Sequence, residues 1–181
     1  MTIKYSLNQN DFLQHQLYIA SKNNSVKNQR RKGWFITTLA FSVLGGIFYQ
    51  DGNKLMMYYF LAASILNLIF YPFYLKKYYK SHYQKFINDN YKNRFEETCT
   101  ITFKEIHIET FDKTGESKIN LTEIDEIIET ANYFYLKMKT GGSLIIPKLK
   151  IENSPKVKTS LLSLASNLKI NYTQELDWKW R

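Results

Sequence analysis

The sequence predicts an α+β membrane protein: a two-helix transmembrane hairpin followed by a cytoplasmic β domain that ends in a helix. Three observations carry this expectation. Two charge-free apolar runs, 33–50 and 55–75, stand four residues apart. Basic residues crowd the outer flank of each run. Beyond residue 95 the apolar period becomes two, and it returns to helical spacing after Ser154.

At about 1.5 Å of rise per residue, runs of 18 and 21 residues reach roughly 27 and 31 Å, enough to cross a hydrocarbon layer of about 30 Å. Trp34, Phe35, Phe48 and Tyr49 bracket the first run, and Tyr58, Tyr59, Tyr71 and Tyr74 lie toward the ends of the second, where interfacial aromatic belts form. A secretory signal would begin within the first few residues, whereas here 32 largely polar residues come first. A buried hairpin of a soluble domain is the competing reading, because Thr37, Thr38, Ser42 and Asn67 moderate the hydropathy.

The net charge of +9 is unevenly spread. Residues 1–32 carry +5, residues 33–75 carry 0, residues 76–94 carry +5 and residues 95–181 carry −1. The positive-inside rule then places both termini in the cytoplasm and the loop 51–54 outside. The same distribution argues against nucleic acid as a partner, since a DNA-binding face needs its cations on the folded domain and that domain is nearly neutral. The one cysteine, Cys99, allows no intramolecular disulfide, in keeping with a reducing compartment, and reads as a structural thiol beside Ile101 and Phe103.

In chain order, residues 1–32 read as a cytoplasmic segment with a short strand (Ile3, Tyr5, Leu7) and a helix carrying Phe12, Leu13, Leu17 and Ala20. Asn8 caps that helix, with Asp11 three residues on. The polar stretch 21–32 leads into the hairpin 33–75. There Ser42, Gly46, Ala63 and Asn67 are the expected packing positions between the helices, the small residues allowing close approach and Asn67 bonding across. Pro72 is expected to kink the second helix. Residues 76–94 continue that helix as a basic, tyrosine-rich juxtamembrane segment. The expected membrane-surface contacts are Arg30, Arg31, Lys32, Lys76, Lys77, Lys80 and Lys85, facing anionic headgroups.

Six strands follow within the β domain, 95–170: 95–103, 105–111, 116–121, 122–130, 133–139 and 143–148. Turns fall at 112–115 and 140–142. Ser154 is expected to cap the final helix, with Pro155 at its first position and Val157, Leu161, Leu164, Ala165 and Leu168 as one stripe. The expected product is a small curled sheet with that helix plugging one open end. Its core should contain Phe103, Ile106, Ile108, Phe134, Leu136, Leu161 and Leu164. Residues 171–181 read as a loosely held tail with Trp178 and Trp180.

The stretch INLTEIDEIIETANYFYLKMKTGGSLIIPK resembles the YcxB-like family of bacterial membrane proteins. Ile124, Ile127, Glu129, Thr130, Tyr133, Phe134 and Tyr135 carry the resemblance, with Ile145, Ile146, Pro147 and Lys148. A Trp usual in that family is replaced by Leu121. The resemblance implies a pleckstrin-homology-like fold for the C-terminal domain and a multi-pass protein of the bacterial cell membrane. It implies no particular activity.

No catalytic, cofactor-binding or metal-binding residues are expected. His15, His82 and His107 lie on different elements, and no second His or Cys stands at ligand spacing. No nucleotide-binding or hydrolase motif is present in the sequence. Glu123, Asp125, Glu126 and Glu129 read as a solvated acidic face. Lys137, Lys139, Lys148 and Lys150 read as solubilising charges, with a headgroup-binding face as the alternative. The leading expectation is therefore a non-enzymatic, membrane-anchored binding or regulatory module, with the lipid bilayer and an unidentified protein as partners and with room for self-association. The alternatives are an immunity or accessory protein of a secreted-toxin system, and a subunit of an oligomeric transporter. The last would call for ionisable residues inside the spans, and the two runs contain none.

Overall fold

The computed structural model describes residues 1–113 and 115–180. It is an α+β fold with four α-helices and two four-stranded sheets among those residues. The chain divides into two compact units: residues 1–15 with 86–179, and residues 16–85 with the C-terminal end from Trp180.

The first unit begins with β1 (Thr2–Ser6), whose alternation buries Ile3 and Tyr5. β1 pairs antiparallel with β2 (Thr98–Phe103), register Ser6↔Thr98, across an insertion of some ninety residues. The expected division at residue 95 is therefore corrected: the N-terminal strand is part of the β domain, because its alternating apolar face completes the core. β2 pairs with β3 (His107–Asp112), and β3 with β4 (Gly115–Asn120), giving the order β1-β2-β3-β4. The expected 112–115 turn includes Thr114, which lies outside the described residues, although its flanks Asp112 and Gly115 face each other across the ladder.

A short 3₁₀ turn, Leu121–Glu123, then ends the first sheet. β5 (Ile124–Thr130), β6 (Tyr133–Met138) and β7 (Ser143–Pro147) form an antiparallel second sheet with an irregularity between Ile124 and Glu126. Gly141 supplies the positive φ of 92° that the β6–β7 turn needs. After α4 (Ser154–Leu168) comes β8 (Asn171–Glu175), which lies parallel to β5, register Ile127↔Tyr172. Two corrections follow. The domain is two sheets rather than one curled sheet, because the 3₁₀ turn interrupts pairing between β4 and β5. Residues 171–175 are a strand rather than tail.

Both sheets and α4 feed one core cluster, which includes Ile3, Ile101, Ile108, Ile127, Phe134, Leu136 and Leu161. Ile108, Leu136 and Leu161 are fully buried, Phe134 nearly so, and Phe103 and Leu164 pack at the margin. Ile106 is the exception at 73% exposed: it sits in the β2–β3 turn, off the alternating strand, where its carbonyl accepts from the Leu121 N–H. The cap of α4 moves by one residue. Asn153, at φ 52°, accepts from the Lys156 N–H through Oδ1, so Ser154 and Pro155 are the first two helical residues.

α1 (Gln9–Lys22) starts with a reciprocal cap in the first unit. The Asp11 N–H donates to Asn8 Oδ1 at 3.0 Å, and the Asn8 N–H donates to Asp11 Oδ2 at 2.8 Å. Asn23 then caps α2 (Asn24–Gln50), so the polar stretch is already the first turns of a 27-residue helix. A turn centred on Gly52 leads to α3 (Lys54–Tyr91), which runs through Pro72 as a helix of 38 residues. α2 and α3 are long and apolar enough to cross a membrane, with mean hydropathies of 1.2 and 1.5 over their most apolar windows, each window only 6% buried.

Candidate functional site

Three constellations stand out, one at the basic ends of α2 and α3, one between those helices and one inside the β domain. The basic ends come directly from the sequence: cations follow and precede the apolar runs on the same continuous helices. Arg31, Lys32, Lys76, Lys77, Lys80 and Lys85 are exposed and have no ion pair among the described residues. Arg30 differs. Its guanidinium lies over the rings of Trp180, at 5.0 Å, and Tyr79, at 5.7 Å. The Trp180 indole N–H donates to the Lys76 carbonyl oxygen at 3.1 Å, and Trp180 is 9% exposed. The expected loose tail thus ends in an anchored tryptophan.

Along the hairpin, the Asn67 amide donates to Thr37 Oγ1 at 3.1 Å and to Thr38 Oγ1 at 2.8 Å. Ser42 and Ser64 share a hydroxyl–hydroxyl hydrogen bond of 2.9 Å, and Ser64 also donates to the Thr38 carbonyl. Ala63 is half-buried beside them. Gly46 is corrected: a Cβ there would meet nothing within 4 Å, whereas one on the buried Gly45 would stand 3.4 Å from Leu61. The helical phase turns Gly45 rather than Gly46 toward the partner helix, so Gly45 is the close-approach residue.

Inside the β domain, two buried carboxylates organise polar networks. The Asp11 carboxylate accepts from Tyr133 Oη at 3.0 Å and from Lys150 Nζ at 2.8 Å, besides the Asn8 N–H. Lys150 also donates to the Ser6 carbonyl at 3.2 Å. The end of β1, the start of α1, β6 and the turn after β7 are thereby tied at one point. Burial, and then the neighbouring Asp11 charge, push the Tyr133 phenol well above its usual range.

Glu129, on β5, accepts from Lys148 at 2.7 Å, Lys158 at 2.9 Å, Tyr172 Oη at 3.0 Å and Gln174 Nε2 at 3.0 Å. Burial by itself would raise its carboxyl, but the hydrogen bonds from Lys148, Lys158 and Tyr172 outweigh that and bring it down to about 2. Lys137 pairs with Asp125 at 2.6 Å, so Lys137, Lys148 and Lys150 all serve internal partners, and Lys139 alone of the four remains a plain exposed charge. The acidic face is corrected in the same way: Glu129 points inward, because β5 is buried on both faces near its end.

Sequence reasoning missed Glu129, Asp11 and Trp180 as partners. The available signal was a single acidic residue set among Ile127, Ile128, Thr130 and Tyr133, where an uncompensated charge would be untenable.

A small cavity of about 160 Å³ opens in the same unit beside Tyr5, Cys99, Thr110, Arg94, Asp112 and Ser143. Burial, then Asp112, raise the Cys99 thiol, which keeps it protonated rather than nucleophilic. Arg94 pairs with Asp112 at 2.8 Å, so the charges at that cavity already have protein partners. Among the described residues, no group of three or more His, Cys, Asp or Glu is placed to hold a metal ion.

Fold and constellations define a class: an α+β protein whose β domain carries two long apolar helices as an insertion. Residues 103–159 match the family model described as YcxB-like protein. The match runs from the end of β2 into α4 and includes Glu129, Tyr133, Lys148, Lys150 and Lys158. No curated protein and no solved structure matches the chain.

Proposed function

We propose that this chain is a non-enzymatic, membrane-anchored module that holds a pleckstrin-homology-like domain at the cytoplasmic face of a cell membrane, for binding or regulating a protein or lipid partner. The observation that carries the reading is the insertion itself. The apolar windows of α2 and α3 stay 6% buried, so their side chains have no protein core to enter. Phe35 is 68% exposed, Leu55 73% and Phe73 69%, a costly arrangement in water and the ordinary one in lipid. Four antiparallel strands, then three more and a helix, support the pleckstrin-homology-like reading, with β1 as its first strand and β8 as an addition.

The non-enzymatic part rests on the saturation of the buried carboxylates. A general acid or base works best with a pKa near the operating pH. Glu129 is held near 2 by donors from its own chain, and Asp11 is occupied by Lys150, Tyr133 and the Asn8 N–H. Both read as structural pins. The decisive experiment is alkaline carbonate extraction of membranes from cells making the tagged full chain, followed by capture in mild detergent and mass spectrometry of what accompanies it. The chain should stay in the pellet; release into the supernatant would remove the anchor from this account.

A further inference from the structure

Lys27, Arg30 and Arg31 line one wall of an open groove at the basic end of the helix pair, with Trp34, Pro72 and Leu75 along its floor. Asn24, Lys27, Asn28, Arg31 and Trp34 recur at three- and four-residue spacing, so α2 presents them on one face. Pro72 and Leu75 come from α3. No acidic residue lines the groove. Lys27 and Arg31 have no ion pair among the described residues. Trp34, half-buried, contributes its indole to the floor.

These features fit one kind of occupant. We propose that the groove is a binding site for a single anionic phospholipid. Its cationic end lies on the polar turns of α2, and its apolar floor belongs to the ends of the two charge-free runs. That order of cation, indole and apolar surface matches the order of phosphate, glycerol ester and acyl chain. Arg31 offers a planar fork for the two non-bridging phosphate oxygens, and Lys27, one turn away, offers a point charge beside them. The Trp34 indole supplies apolar surface at the level of the glycerol ester. Arg30, stacked between Trp180 and Tyr79, fixes one edge of the groove.

This inference rests on the membrane reading above, and its test separates the two. The full chain, purified in mild detergent, is incubated with equimolar phosphatidylglycerol and phosphatidylcholine, and retained lipids are counted by native mass spectrometry. The wild type should retain one phosphatidylglycerol in preference to phosphatidylcholine. Lys27→Gln with Arg31→Gln should lower that preference roughly thirtyfold, two headgroup-facing cations being lost. Lys4→Gln with Lys156→Gln removes the same charge from exposed positions of the β domain and should leave the preference in place. Trp34→Ala removes the indole from the floor and should weaken retention severalfold.

Equal losses in the two double variants would mean diffuse electrostatics and overturn the site, as would no preference in the wild type or unchanged retention in Trp34→Ala. Each variant is also carried through carbonate extraction. A variant that stays embedded but loses selectivity supports the groove, whereas a wild type that leaves the membrane overturns the membrane reading and the groove with it.

Discussion

Glu129 follows Ile127 and Ile128 on β5, is 3% exposed, and is ionised only because Lys148, Lys158, Tyr172 and Gln174 surround it. Its carboxyl falls from 4.5 to about 2 on folding. A depressed acid stabilises the fold above its unfolded value and withdraws that support as pH falls through the folded one. The contribution is on the order of 3 kcal/mol at neutral pH and should vanish between pH 4.5 and 2. His15 adds an earlier step. Burial lowers it from 6.5 to about 4, so the unfolded chain takes up a proton first and stability declines as pH falls across that interval. Thermal unfolding of the detergent-solubilised chain, followed through its β-sheet circular dichroism, should show both arms. Glu129→Gln should remove the lower arm and cost about 3 kcal/mol at pH 7 by leaving two lysines around a neutral group. His15→Phe should remove the upper arm. Leu161, fully buried under both sheets, is the neutral comparison: Leu161→Ala should cost about 2–5 kcal/mol at every pH. A flat stability from pH 7 to 3 in the wild type would mean that neither titration is coupled to folding.

Elements with strong local signals were legible in the sequence. The reciprocal Asn8–Asp11 cap, the stripe of α4 and the alternation of β3, β6 and β7 each follow from periods of a few residues. What depended on distant partners was not. β1 finds β2 some ninety residues away, and β8 joins β5 as a parallel strand after a helix. Neither pairing leaves a local trace. The polar composition of Asn171–Glu175 even argues against a strand until Tyr172 and Gln174 are seen to hydrogen-bond Glu129. The consequence can be tested by cutting the chain. A fragment of residues 95–170 lacks Ile3, Tyr5 and Tyr172, and it should fail to unfold cooperatively in urea. A construction joining residue 7 to residue 96 through a four-residue Asn/Gly linker and ending at residue 179 should be the better folded. The Glu96 N–H already donates to the Leu7 carbonyl at 2.8 Å, so the join spans a gap that the native chain closes. Equal cooperativity in the two fragments would show that β1 and β8 add nothing to the domain.

At the scale of the whole molecule, two separate arguments support the proposed topology: charge bears on which side the flanks face, and connectivity on their sharing one side. By the positive-inside rule, the +5, 0, +5 distribution favours the proposed placement of both flanks in the cytoplasm. Separately, residues 2–6 and 98–175 build the same β domain, and three α-helices lie between them, α2 and α3 being the long apolar pair. A sheet cannot be completed by strands on opposite sides of a bilayer, so an insertion that leaves and returns must cross an even number of times. In the proposed topology only the short turn at residues 51–53 is outside. The chain has one native cysteine, Cys99, half-buried on β2, which is replaced so that only introduced thiols report. In a Cys99→Ser background, Gly52→Cys should react in intact cells with a membrane-impermeant maleimide, since Gly52 lies in an exposed turn with open space around it. A cysteine at Lys139, on the exposed β6–β7 turn, should react only after the cells are lysed. Labelling at residue 139 but not at residue 52 in intact cells would defeat the charge argument and leave the connectivity argument standing, because the whole β domain would then lie outside. Labelling at both positions in intact cells would defeat the hairpin itself.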